Sequence, residues 1–301
     1  MAITVWWGKF CGEGAFHAPS NADCGKGYMM SGYPSSVNIL GQEYTFHRLL
    51  KDDFFSLNIL YTNPRNEGYV LKLSDFRFVG GWMFRPLATW ISKREYTIYR
   101  MVADIPGVPA LGPRHGTRGY FHRFIKGKTL HEIEREIIER YHVSSGHPAF
   151  GTAETMLAPD FFEQLKRIVH EVHRRRIFYV DLNKRGNIIC STEGKPYLID
   201  FQICVHIPTR QGWLGSLTDK IFKRLKQEDF YHLYKHKKTF QPQLMTEAEQ
   251  QLAKRSKLSQ RYRQFLWRPY ITVKRVIYPH GSNETIWYKW KKEKDQSPRM
   301  S

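Results

Sequence analysis

The stretch His170-Glu-Val-His-Arg-Arg-Arg-Ile-Phe-Tyr-Val-Asp-Leu-Asn-Lys-Arg-Gly-Asn-Ile-Ile189, then the turn Gly194-Lys-Pro196, then Tyr197-Leu-Ile-Asp-Phe-Gln202, decides the fold. An amphipathic helix ends before a loop that carries Asp181. Asn187 opens a short apolar strand, and Asp200 follows the next one. If the two strands form a hairpin, a carboxylate and an amide oxygen come from neighbouring turns. Magnesium, which prefers oxygen ligands and keeps several waters, suits such a pair. Asp181, just ahead of the hairpin, would face an incoming hydroxyl and accept or orient its proton.

Upstream, residues 160–176 read as a helix started by Pro159 and Asp160, with Phe161, Leu165, Ile168 and Val172 at helical spacing. Residues 44–50, 56–61 and 69–73 read as three strands of a small antiparallel sheet, with polar turns around Lys51-Asp52-Asp53 and at Asn63–Gly68. Residues 89–102 read as a helix stopped at Pro106 and Pro109, residues 119–125 as another strand, and residues 130–140 as another helix. Beyond Phe201 the chain turns basic, with helices expected over 217–238 and 246–263. Residues 1–42 lack either period and read as a poorly ordered extension, with Met29-Met30 as a candidate start.

Phosphoryl transfer needs fixed cations on a cluster of anionic groups. Lys72 lies on the third strand and Glu95 on the helix after it, so an acid is available to orient a long lysine stem. In this order (strand Lys72, helix Glu95, loop Asp181 with Asn187, then Asp200-Phe201) the sequence resembles the protein-kinase-like superfamily. The likeness is nearest to its atypical bacterial branches, the RIO-type kinases and the Kdo and heptose kinases of the lipopolysaccharide core. It covers roughly residues 43–238.

The resemblance implies an α+β, two-lobed fold: a small antiparallel-sheet N-lobe over 43–125 and a mostly helical C-lobe with the catalytic hairpin over 126–240; beyond these, 241–301 reads as a basic helical tail. It implies ATP and Mg2+ as cofactors. It further implies that Lys72 contacts the nucleotide phosphates, Glu95 positions Lys72, Asp181 is the catalytic base, and Asn187 and Asp200 bind the metal. The acceptor would be a hydroxyl of a protein or of a lipopolysaccharide-type sugar.

The sequence departs from that pattern in several places. Lys51–Ser56 stands where a glycine-rich phosphate loop would be, Tyr179 replaces the usual histidine, and Asp181 to Asn187 is one residue longer than the common form. Gln202 replaces glycine after Asp200-Phe201, and no Ala-Pro-Glu follows. These departures motivate an alternative, a pseudokinase-like nucleotide-sensing module that holds RNA or anionic membrane through its basic tail. A basic nucleic-acid binder without a nucleotide site is a third reading.

With 301 residues, 41% hydrophobic and 15% aromatic, the chain can build a sizeable core. The formal net charge of +19 attracts polyanions: nucleotides, nucleic acid or an anionic membrane surface. Clusters such as Lys235-His-Lys-Lys238 and Lys289-Trp-Lys-Lys292, interleaved with Trp267, Trp287 and Trp290, suit nucleic acid or a membrane interface.

The four cysteines, Cys11, Cys24, Cys190 and Cys204, form no Cys-x-x-Cys pair, so neither a disulfide framework nor a zinc site is expected. His170 and His173 share a helix face without a third ligand, and His173 is expected to pack or hydrogen-bond beneath the Asp181 loop. Phe121, Phe124 and Ile125 either touch an adenine or simply pack in the core. No apolar run has bilayer-spanning length, and the N-terminus lacks a signal-peptide core, so a cytoplasmic protein is expected, at most peripherally attached at the inner face of the membrane.

Overall fold

The structure is a computed structural model, and it describes residues 33–52, 56–75, 85–143, 150, 157–209 and 211–254. It is a mixed α+β protein. Six strands form an antiparallel sheet: β1 (Ser36–Ile39), β2 (Gln42–Asp52), β3 (Ser56–Thr62), β4 (Gly68–Ser74), β5 (Leu111–His115) and β6 (Gly119–Arg123), in the order β1-β2-β3-β4-β6-β5.

β1 falls inside the stretch expected to be a disordered extension, so that expectation is corrected for residues 36–42; residues 1–32 lie outside the described residues. A two-residue turn explains the strand. Ile39 pairs with Gln42, while Leu40 (φ 52°) and Gly41 (φ 82°) both adopt positive φ, the backbone twist that suits a tight hairpin. β2 continues through Lys51 and Asp52, which were expected to turn. Asp53 lies outside the described residues.

The β3–β4 connection is the polar turn expected at Asn63–Gly68. Asn63 Oδ1 accepts from the Glu67 N–H at 2.9 Å, and its Nδ2 donates to Glu67 Oε2 at 2.9 Å. Such Asn-to-backbone bonds mimic a turn and fix its register. β5 was not foreseen. It contains Pro113 and lies at the sheet edge, where a missing N–H costs no ladder bond.

Helix α1 (Arg85–Val102) buries Ala88, Ser92, Glu95, Ile98, Tyr99 and Val102, a stripe at three- and four-residue spacing. It begins four residues earlier than residue 89, where the sequence placed its start. Helix α2 (Leu130–Tyr141) follows the short strand β7 (Gly127–Thr129) and starts at a capping box. Thr129 Oγ1 accepts from the Glu132 N–H at 3.1 Å, and the Glu132 carboxylate accepts from the Thr129 N–H at 2.7 Å. Helix α3 (Phe161–Arg174) buries Phe161, Phe162, Leu165, Ile168, Val169, Val172 and His173. Each large apolar side chain removed from water there stabilises the fold by roughly 1.5–3 kcal/mol.

After α3 come β8 (Ile177–Phe178), two short 3-10 turns over Asp181–Asn183 and Arg185–Asn187, and the expected hairpin of β9 (Ile188–Ser191) and β10 (Pro196–Leu198). β7 pairs with the outer edge of β9, and β11 (Val205–His206) pairs with β8. Helix α4 (Gly212–Phe240) is longer at both ends than expected. Helix α5 (Glu247–Leu252) ends well before residue 263, and residues 255–301 lie outside the described residues. Within 241–254 the expected basic tail is folded back. Lys237 Nζ on α4 reaches both Glu249 carboxylate oxygens at 2.9 Å, and Gln241 Nε2 donates to the Ala158 carbonyl at 2.9 Å.

Candidate phosphotransfer site

Lys72 sits in the middle of β4, flanked in register by Asn58 of β3 and Tyr120 of β6. Its ammonium donates to Glu95 Oε1 at 2.7 Å and to Asp200 Oδ1 at 2.9 Å. Three elements therefore meet at one nitrogen, although Lys72 is 23 residues from Glu95 and 128 from Asp200. The Tyr120 hydroxyl donates to the same Glu95 oxygen at 2.9 Å, while Glu95 Oε2 is buried with no hydrogen-bond partner among the described residues.

One cation thus faces two carboxyl groups, one wholly buried and one partly exposed. The electrostatics follow from that imbalance. Burial works against the lysine charge, but Asp200 and Glu95 outweigh it and hold Lys72 above the usual lysine range. Burial would also raise Asp200, yet the Lys72 charge and hydrogen bond bring it down to about 2, so it is a carboxylate at neutral pH. Glu95, wholly buried and facing Asp200 as well as Lys72, is the group pushed up, with burial as the main cause. Asp200, ionised and with part of its side chain exposed, is the carboxylate of this cluster that a divalent ion would use.

Asp181 is presented by a strained turn. Val180 has φ 71° and ψ −51°, and the Asp181 N–H donates back to the Tyr179 carbonyl at 2.8 Å, closing a γ-turn of the rare hand. For a β-branched residue this conformation is an outlier costing on the order of 1–3 kcal/mol, tolerated only where the surroundings over-determine it. They do so here. Asp229 on α4 accepts from the Tyr179 N–H at 3.1 Å and pairs through the same oxygen with His173 Nε2 at 2.8 Å. His173 therefore lies beneath the loop, as its helix position indicated. Cys204 Sγ donates to the Tyr179 carbonyl at 3.2 Å. The Tyr179 hydroxyl donates to the Ile199 carbonyl, so Tyr179 ties the Asp181 loop to the strand end before Asp200.

Asn187 and Asp200 are brought together through the backbone. The Ile199 N–H donates to the Asn187 carbonyl at 3.0 Å, and Asn187 Nδ2 donates to the Asp181 carbonyl at 3.4 Å, leaving the amide oxygen as the atom a hard cation would use. Asp200 itself has φ 64°. Asp181 Oδ2 accepts from Lys184 Nζ at 2.5 Å, and the Lys184 charge also helps hold Asp200 low. The five expected residues thus form two groups, Lys72–Glu95–Asp200 and Asp181–Asn187, joined through Ile199 and Lys184. No cluster of three or more His, Cys, Asp or Glu fit for a metal occurs among the described residues, and a magnesium site of one carboxylate and one amide oxygen needs none.

Several contributors escaped the sequence reading. Tyr120 and Asp229 act through long-range contacts with no local signal. Arg94, next to Glu95, donates to the Gln202 carbonyl at 2.8 Å and also to the Cys204 carbonyl, so α1 grips the segment after Asp200. Phe201 is fully buried against Tyr99 (5.1 Å) and Tyr179 (5.5 Å). Phe121, one of the residues considered for adenine contact, packs in the sheet core against Tyr61 and His115. Phe124 abuts Gly68, and both it and Ile125 are half-buried between β6 and β7. Lys51–Ser56, the stretch expected to take the place of a glycine-rich loop, lies partly outside the described residues.

No protein-family model matches this sequence, and no curated protein matches it either.

Proposed function

We propose that this protein is an ATP-dependent phosphotransferase with a two-lobed, protein-kinase-like architecture, moving the γ-phosphate to a hydroxyl of a protein or of a lipopolysaccharide-type sugar. The observation that carries this reading is the Lys72–Glu95–Asp200 cluster, in which a buried lysine, held above the usual lysine range, is braced from a helix and a hairpin end. A lysine so held is a fixed cation for a triphosphate, and fixed charge is what stabilises the charge developing in phosphoryl transfer.

Asp181, aimed by its strained turn, is the group to orient or deprotonate the acceptor hydroxyl. Asp200 and Asn187 would hold magnesium, which when bound neutralises phosphate charge. Lys184, beside both aspartates, is a second phosphate-binding cation. The arrangement of α1 between β4 and β5, with β6 beside β4, supports the N-lobe reading.

The test is transfer from γ-labelled ATP with magnesium to protein, lipopolysaccharide-core and RNA acceptors, in wild type and Asp200→Ala. Transfer by wild type alone is expected. Equal transfer in both ends the proposal, and an ATP-induced rise in melting temperature without any turnover favours the nucleotide-sensing alternative.

A further inference from the structure

The first half of α4 carries apolar side chains on two opposite faces. One face holds Phe222, 3% exposed, beneath the Arg176 guanidinium and next to the His173 ring. The other holds Trp213, Leu217 and Ile221, which are 76%, 48% and 46% exposed. Their four-residue spacing lines them up along one side of the helix over about 12 Å.

Single exposed apolar residues are ordinary, but a continuous solvent-facing row on a helix whose other side is already packed calls for an occupant. The row is bordered by Lys220, Lys223 and Arg224, all exposed. Asp219, in the same stretch of the helix, is paired with Arg176 at 2.7 Å. The outward face is therefore apolar along its centre and positive along its edge, on a chain with a formal charge of +19.

We propose that this face of α4 is a docking surface for an anionic lipid bilayer. A row on one side of a helix presents a convex strip, which suits a planar partner rather than an inserted peptide. Tryptophan at the end of an apolar row, with lysine and arginine beside it, is the composition that settles at the headgroup boundary. RNA would use the cations but leave Leu217 and Ile221 in water. Bilayer docking of α4 is independent of the phosphotransferase reading, and it adds a surface within the described residues to any contact made by the basic tail.

The experiment is co-sedimentation of the full chain with phosphatidylcholine vesicles, with and without phosphatidylglycerol, at low and high salt. Wild type should bind the anionic vesicles. Leu217→Glu/Ile221→Glu should weaken binding about tenfold or more, through lost burial and added repulsion, with an unchanged melting temperature. Lys220→Ser/Lys223→Ser/Arg224→Ser should lose most of the preference for anionic lipid and its salt sensitivity. Asp200→Ala should bind as wild type does, so this proposal and the phosphotransferase reading fail separately. Wild-type binding by the Leu217/Ile221 double variant, or a wild type that binds single-stranded RNA but no vesicles, overturns the proposal.

Discussion

Replacing Lys72 by methionine removes the cation that touches both the buried Glu95 and the partly exposed Asp200, at 2.7 and 2.9 Å. Taking one partner from a buried ion pair costs about 3–5 kcal/mol, because the charge left behind is neither solvated nor paired. Here Glu95, fully buried, takes the larger share, while Asp200, with 28% of its side chain exposed, can partly rehydrate. Lys72→Met should therefore lose about 3–5 kcal/mol in guanidinium unfolding.

The double variant Lys72→Met/Glu95→Gln replaces the pair with neutral groups of similar size and should recover about 2 kcal/mol or more of that loss. The pH dependence has a definite sign. Without the lysine, Glu95 rises further above its ordinary value of 4.5. A group whose folded pKa is raised contributes stability that is present below its unfolded value and lost as pH climbs through the folded one. The deficit of Lys72→Met should therefore shrink as pH falls from neutral towards 4.5. A loss below about 1 kcal/mol, or strict additivity in the cycle, would show that the lysine does not neutralise both carboxylates.

Tyr179→Phe keeps the packing but leaves the part-buried Ile199 carbonyl without its hydroxyl donor, and should cost about 1 kcal/mol by chemical denaturation and, on the proposed function, slow transfer from ATP. Gly127→Ala would place a Cβ 2.0 Å from the Cys190 carbonyl and 2.8 Å from the Ser191 Cα, so β7 must move off β9. A loss of about 3 kcal/mol or more is expected in a thermal melt, because backbone cannot step aside as a side chain can. Asp200, held down to about 2, contributes stability that is complete above its ordinary 3.8 and lost as pH falls through about 2. The stability gap between wild type and Asp200→Asn should therefore be constant near neutrality and close between these two values in an acid titration.

What the sequence revealed and what it hid divide along contact distance. The β9–β10 hairpin and the helix carrying Glu95 were legible because period and turn residues are local signals. The order Lys72, Glu95, Asp200 could be read, but the order alone does not dictate that one nitrogen touches both acids; that depends on how β4, α1 and the hairpin pack. β1 was missed because its turn is Leu40-Gly41 rather than Asn-Gly, and the strand is only four residues long. β5 was hidden by Pro113, which an edge strand tolerates. Asp229 reads as an ordinary helix charge. Only the fold shows it beneath Tyr179 and His173, holding a strained turn that no composition signals.

The central claim is that Asp200 and Asn187, next to a fixed Lys72, hold a divalent ion at the end of a nucleotide triphosphate. Electron paramagnetic resonance of Mn2+ with ATP tests it most directly, in wild type, Asp200→Ala and Lys72→Met. The account predicts an ATP-dependent bound-manganese signal in wild type, abolished in Asp200→Ala and weakened in Lys72→Met. The same signal in all three, or none in wild type, would contradict it.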